Sequence, residues 1–303
     1  MMRTDKGFPS NNPQCLLMGN GINLLFKDPS WEMLIKEELA YSHVPLTYED
    51  IKGMPATMQI VVATNNSVGS RMKNLSEKLT EQSMTPERIE FLQNLLCLPV
   101  DDILTANYSF ELEAADGMKQ SKRQYSSRLQ STFDLQAKHK AFRLYQFYET
   151  SNDKRIWHVH GDLAKPDTML MGHYYYAKQL RAVQDCVAKT VRRYKICMDK
   201  GEEFRSFSWG DQFLTGDVYI LGLGMYLCES DLWYLLCCKQ RNFPDTKTIF
   251  YDMECKDLTI SAMLKAYGVR IINGSELSAC GEYIDFYNSA ISDIKRQIRG
   301  QKK

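Results

Sequence analysis

Five short apolar runs, at 15–18, 103–105, 155–159, 218–223 and 246–252, most constrain how this chain can fold. Each is too short for a helix, and most are rich in Val, Ile, Leu or aromatic residues, the composition of strands buried on both faces. A further run at 269–272 fits the same description. Between them lie longer stretches with helical spacing. Residues 31–41 place Trp31, Leu34, Ile35 and Leu39 on one face, and 85–98, 131–149, 177–199 and 281–299 keep the same period. Strands alternating with helices predict an α/β, Rossmann-like fold with a mainly parallel sheet and helices on both faces. Segments 40–100 and 163–215 carry little strand signal and are expected to be helical insertions. The expected organisation is an N-terminal tail 1–12, one α/β domain 13–280 and a C-terminal helix 281–303.

With 303 residues and 44% hydrophobic content, the chain can bury a full core. Its 38 basic and 37 acidic residues leave a net charge of +1, which argues against nucleic acid or an anionic membrane as the main target. No run approaches the roughly 18 apolar residues of a membrane span. The polar start, with no apolar core, predicts no signal peptide. None of the nine cysteines forms a Cys-x-x-Cys and several sit in apolar runs, so reduced thiols and a cytoplasmic location are expected.

Polar residues and glycines collect at the ends of the runs. The first run passes straight into Gly19-Asn20-Gly21-Ile22-Asn23, a turn that lets backbone approach a diphosphate. Leu24 stands where the dehydrogenase fingerprint has its third glycine. The second run ends in Thr105-Ala106-Asn107-Tyr108, which places an amide where ligands gather, although Asn107 equally suits a turn. The third ends in Trp157-His158-Val159-His160-Gly161-Asp162. Three readings compete here: a metal-binding His-x-His, the edge of a phosphoesterase site, and a strand delivering one catalytic histidine. No further ligands stand at metal spacing, so a metal is not expected. The preferred reading leaves His158 satisfied inside the strand and frees His160 as a base near neutral pH. The fourth run ends in Gly222 and Gly224, followed by Glu229 and Asp231 at a helix start, where acids also suit the helix dipole.

Taken in order, these stations resemble the SIR2-like (sirtuin-related) NAD-binding domain. The matching residues are Gly19, Asn20, Gly21 and Asn23 in the glycine loop, Thr105, Asn107 and Tyr108 at the second strand end, His160-Gly161, and Gly224-Met225-Tyr226-Leu227 with Asp231. The segment 169–180 also looks like the block that follows His-Gly in bacterial members. Asn23 and Tyr226 stand where serines are usual. Deacylase sirtuins carry two Cys-x-x-Cys pairs holding zinc before the late glycine motif, whereas 163–215 contains only Cys186 and Cys197. The chain therefore looks like the zinc-less branch, whose members in bacterial antiphage systems hydrolyse NAD. The resemblance implies an NAD+ glycohydrolase with Asn107 and His160 catalytic. Cofactor contacts are expected from Gly19, Asn20, Gly21, Asn23, Thr105, Tyr108, Gly224, Met225 and Asp231, and NAD is the substrate with no metal. The alternatives are an NAD-dependent protein deacylase and a non-catalytic nucleotide-sensing module. A free NAD hydrolase would kill its host, so a separate sensor protein or assembly into a homo- or hetero-oligomer is expected to gate it, through helices within 115–149 or the C-terminal helix.

Overall fold

The structure, a computed structural model, describes residues 12–79, 83–117, 123–125, 142–279 and 281–301. Its strands are β1 (Gln14–Met18), β2 (Asp102–Thr105), β3 (Arg123–Tyr125), β4 (Gln146–Glu149), β5 (Arg155–His158), β6 (Asp217–Leu221), β7 (Thr248–Tyr251) and β8 (Arg270–Ile272). They form one sheet in the order β3-β4-β5-β2-β1-β6-β7-β8. From β5 to β8 every neighbouring pair is parallel, while β3, β4 and β5 pair antiparallel.

The alternation of side chains across each strand builds two cores. Cys15, Leu17, Val218 and Ile220 face one side, under the helices His173–Lys200, Trp209–Thr215 and Ser230–Asn242. Leu16, Met18, Tyr219 and Leu221 face the other, under the helices Pro86–Leu96 and Tyr283–Gln301. The last helix contributes Phe286, Tyr287, Ala290, Ile291, Ile294 and Ile298, a stripe at helical spacing. A third cluster unites the helices Trp31–Tyr41, Ala56–Ala63 and Val68–Lys78 with Met169 and Met171. The earlier part of the 40–100 insertion, through the helix Val68–Lys78, thus packs on the segment that follows β5. The expected α/β class, mostly parallel sheet and helices on both faces are therefore present, and both insertions are helical.

One expectation is corrected. Residues 131–149 do not form one helix: 131–141 lie outside the described residues, Phe142–Tyr145 is a single helical turn, and Gln146–Glu149 is β4. The cause is a hairpin with β5. The Thr150 amide donates to the Lys154 carbonyl at 2.8 Å, and Asp153 turns the chain with φ +59°. The tail at 1–11, most of the basic stretch near 119–124 and Lys302-Lys303 also lie outside the described residues. Among the described residues, no helix is long and apolar enough to cross a membrane.

Candidate functional site

The chain leaves β1 toward β2 on one side and returns to β6 on the other, so β1 and β6 flank the switch point of the sheet. In open α/β folds, ligands bind outside the carboxyl ends of the strands at this place. Both turns here are glycine-rich, and they are stitched together. The Gly19 amide donates to the Leu221 carbonyl at 3.1 Å, and the Gly21 amide to the Gly222 carbonyl at 2.8 Å. A methyl on Gly19 would fall 2.7 Å from the Gly222 oxygen, and one on Gly21 would lie 2.8 Å from it. The two glycines are thus required by the close approach of two turns, and their amides are engaged by protein. Asn20 is exposed. Gly224 carries the Tyr226 ring across it, with a hypothetical methyl only 2.8 Å from that ring. Met225 is buried with φ +48°.

Thr105 and His158 are register partners on adjacent β2 and β5. Asn107 and His160 each lie two residues beyond that pair in sequence, past the ends of neighbouring strands. Asn107 is buried and its amide donates to Glu111 Oε1 at 2.8 Å. The Thr105 hydroxyl accepts from the Asn107 amide N–H at 3.1 Å, and the Tyr108 hydroxyl donates to the Leu170 carbonyl at 3.1 Å. Glu111 is the hub: it also accepts from Asn23 at 3.2 Å and from Ser109 at 2.5 Å. Asn23 in turn accepts from Arg88, which is paired with Asp28. Asn23 therefore orders the base of the site from within a buried network. Glu111→Gln, which turns an acceptor into a donor among donors, is expected to cost about 1–3 kcal/mol in urea denaturation. An unchanged midpoint would remove Glu111 from this role.

The two histidines part company. β5 ends at His158, so strand alternation does not extend to His160. His158 Nδ1 faces the Asn107 carbonyl at 2.9 Å and Nε2 faces Glu113 at 3.0 Å. Burial is the largest single influence and lowers its proton affinity, but the charge and hydrogen bond of Glu113, with Asp162 and the Asn107 carbonyl, together outweigh it and hold the pKa up at about 9. The charged ring stabilises the fold fully below its ordinary value of 6.5, and that stabilisation is lost as pH climbs through about 9. Unfolding free energy should fall by about 3 kcal/mol across this window. Chemical denaturation at stepped pH measures the slope, and His158→Gln should flatten it.

His160 is also buried, with Nε2 3.2 Å from Asp231 Oδ2 and its ring 5.4 Å from that of Tyr176. Gly161 holds φ +91°, and the Leu170 amide donates to the His160 carbonyl at 2.9 Å, so segment 168–170 clamps the turn. Asp162 accepts from the Lys165 amide and from Tyr148, which commits it to its own turn and leaves the phosphoesterase reading without its aspartate. Asp231 is fully buried in the first turn of Ser230–Asn242. Beside it Glu229, which the motifs did not single out as a contact, is buried with Oε2 lacking a hydrogen-bond partner. Burial pushes the Glu229 pKa up to about 7, with His160 opposing and Asp231 reinforcing the rise. Burial also raises the Tyr176 hydroxyl well above its ordinary value, helped by Tyr108, Glu229 and Asp231. Among the described residues, no group of three His, Cys, Asp or Glu side chains is arranged to hold a metal ion.

The arrangement can take up a proton beside an imidazole and can stabilise positive charge with two buried carboxyls. No protein-family model and no curated protein matches this chain.

Proposed function

We propose that this protein hydrolyses the nicotinamide–ribose bond of NAD+, giving nicotinamide and ADP-ribose, as an antiphage-defence effector of the SIR2-like type gated by a partner or by self-assembly. The observation that carries this reading is His160, buried at the carboxyl end of a parallel sheet and facing Asp231. Nicotinamide leaves neutral from a cation, so the difficult step is stabilising an oxocarbenium-like ribose while water attacks. Asn107, its amide fixed by Glu111, orients the water or the ribose hydroxyls. His160 accepts a proton from that water or through a ribose hydroxyl. NAD is the substrate, and no step calls for a metal.

A second reading is a fold that senses a nucleotide at the same site without turnover. One experiment separates the two. Purified protein, alone and with the products of neighbouring genes, is incubated with NAD+, and nicotinamide is quantified by chromatography. Released nicotinamide supports hydrolysis. Bound, intact NAD+ after long incubation supports sensing, and dependence on an acetyl-lysine peptide would point to a deacylase instead.

A further inference from the structure

We propose that Glu229 and Asp231 form with His160 one buried proton-sharing unit, in which Asp231 positions the imidazole and Glu229 carries the proton whose loss makes the site more anionic and more active. The inference rests on the hydrolytic reading above and adds two residues to it.

Acids at a helix start ordinarily cap it or suit its dipole; Asp231, in the first turn, suits the dipole, whereas capping does not explain Glu229. Glu229 occupies the N-cap position of Ser230–Asn242, yet its side chain makes no cap hydrogen bond. Neither oxygen of Asp231 has a hydrogen-bond partner of good geometry, and Nε2 of His160 is the cation-forming atom beside it, at 3.2 Å. Burying carboxyl oxygens that lack hydrogen-bond partners, as both do at Asp231 and Oε2 does at Glu229, destabilises a fold, so such groups persist where chemistry uses them. The groups around them come from four directions. His160 follows β5, Tyr176 lies on His173–Lys200, Tyr108 follows β2, and Cys228 precedes Glu229 in its own loop. The charges acting on Glu229 are His160 and Asp231, and no lysine or arginine is among them. The three groups, as proposed, exchange protons and so change charge as a set.

Such a set suits cleavage of a cationic N-glycoside. The C1′–N bond breaks with its electron pair moving to the ring nitrogen, which becomes neutral. Water supplies the new C1′–O bond and loses one proton to His160, from which it passes to the carboxyls and then to solvent. Positive charge grows on the ribose as the bond breaks, and an ionised Glu229 stabilises it. The raised proton affinity of Glu229 places this switch near neutrality.

The test compares wild type, Glu229→Gln, Glu229→Asp and Asp231→Asn in the active assembly, by nicotinamide release across pH. Imidazole titrations by NMR on histidine-labelled protein run alongside, with His160 assigned from a His160→Gln spectrum. Wild-type kcat should rise about tenfold between about pH 5.5 and pH 8. Glu229→Gln should match wild type at the acid end, stay flat, and fall about tenfold short at the alkaline end. Glu229→Asp should restore a rise at a displaced pH. Asp231→Asn should lower kcat about 10²-fold with little change in KM. The His160 resonance should carry a second inflection in wild type that vanishes in Glu229→Gln. A wild-type pH profile and an unchanged His160 titration in Glu229→Gln would overturn the proposal. If wild type releases no nicotinamide, the hydrolytic reading fails by itself, and the NMR arm still decides the proton sharing: the second inflection sustains it and its absence overturns it.

Discussion

His160→Ala is expected to remain folded and to lose nicotinamide release by about 10²–10⁴-fold, the usual contribution of a positioned general base. The ring is 2% exposed and touches Asp231 and Tyr176, so its removal also leaves a cavity and a buried acid without its neighbour. The destabilisation is expected to be about 1–3 kcal/mol. His160→Gln fills most of the volume and separates the two effects. Loss of activity in both variants with native circular dichroism identifies the imidazole as the working group. Turnover retained by either one removes His160 from the mechanism.

Gly161→Ala should be the most damaging single-methyl change near the site. Its φ of +91° disfavours any L residue, and the added methyl would sit 2.2 Å from the Thr168 carbonyl oxygen. That neighbour is backbone inside the clamp on His160, so it cannot swing aside as a side chain would. The expected cost is about 3 kcal/mol or more, from strain plus displacement of 168–170. Gly201→Ala supplies the comparison. It too has positive φ, +68°, at the end of the long helix, but nothing lies within 4 Å of its methyl. It should cost only about 1 kcal/mol. Equal urea midpoints for the two variants would show that the Thr168 contact yields freely.

The parallel strands were legible because burial on both faces leaves near-continuous apolar runs: β5, β7 and β8 lie within the expected stretches, and β1, β2 and β6 begin one residue before theirs. β4 was hidden because Leu144, Tyr145, Phe147 and Tyr148 also satisfy helical spacing. The signal that betrays it is Ser151-Asn152-Asp153, a turn cluster between two aromatic-rich tetrads. β3 is three residues long in a polar stretch and gives no period to read. At the site, the division between His158 and His160 could be anticipated, since a strand must end before a turning glycine. The hub role of Glu111 could have been suspected from its i,i+4 spacing to Asn107. Glu229 could not: an acid before a helix looks the same in sequence whether it caps in water or lies dry beside a histidine. Only the packing of 226–229 distinguishes the two.

Among the described residues, the sheet is bounded by its shortest strands, β3 and β8, three residues each. A margin this brief offers an incoming chain too few free amides and carbonyls to template another strand, and Arg270 on β8 places an exposed charge there. Growth by edge-to-edge polymerisation is therefore blunted at both ends.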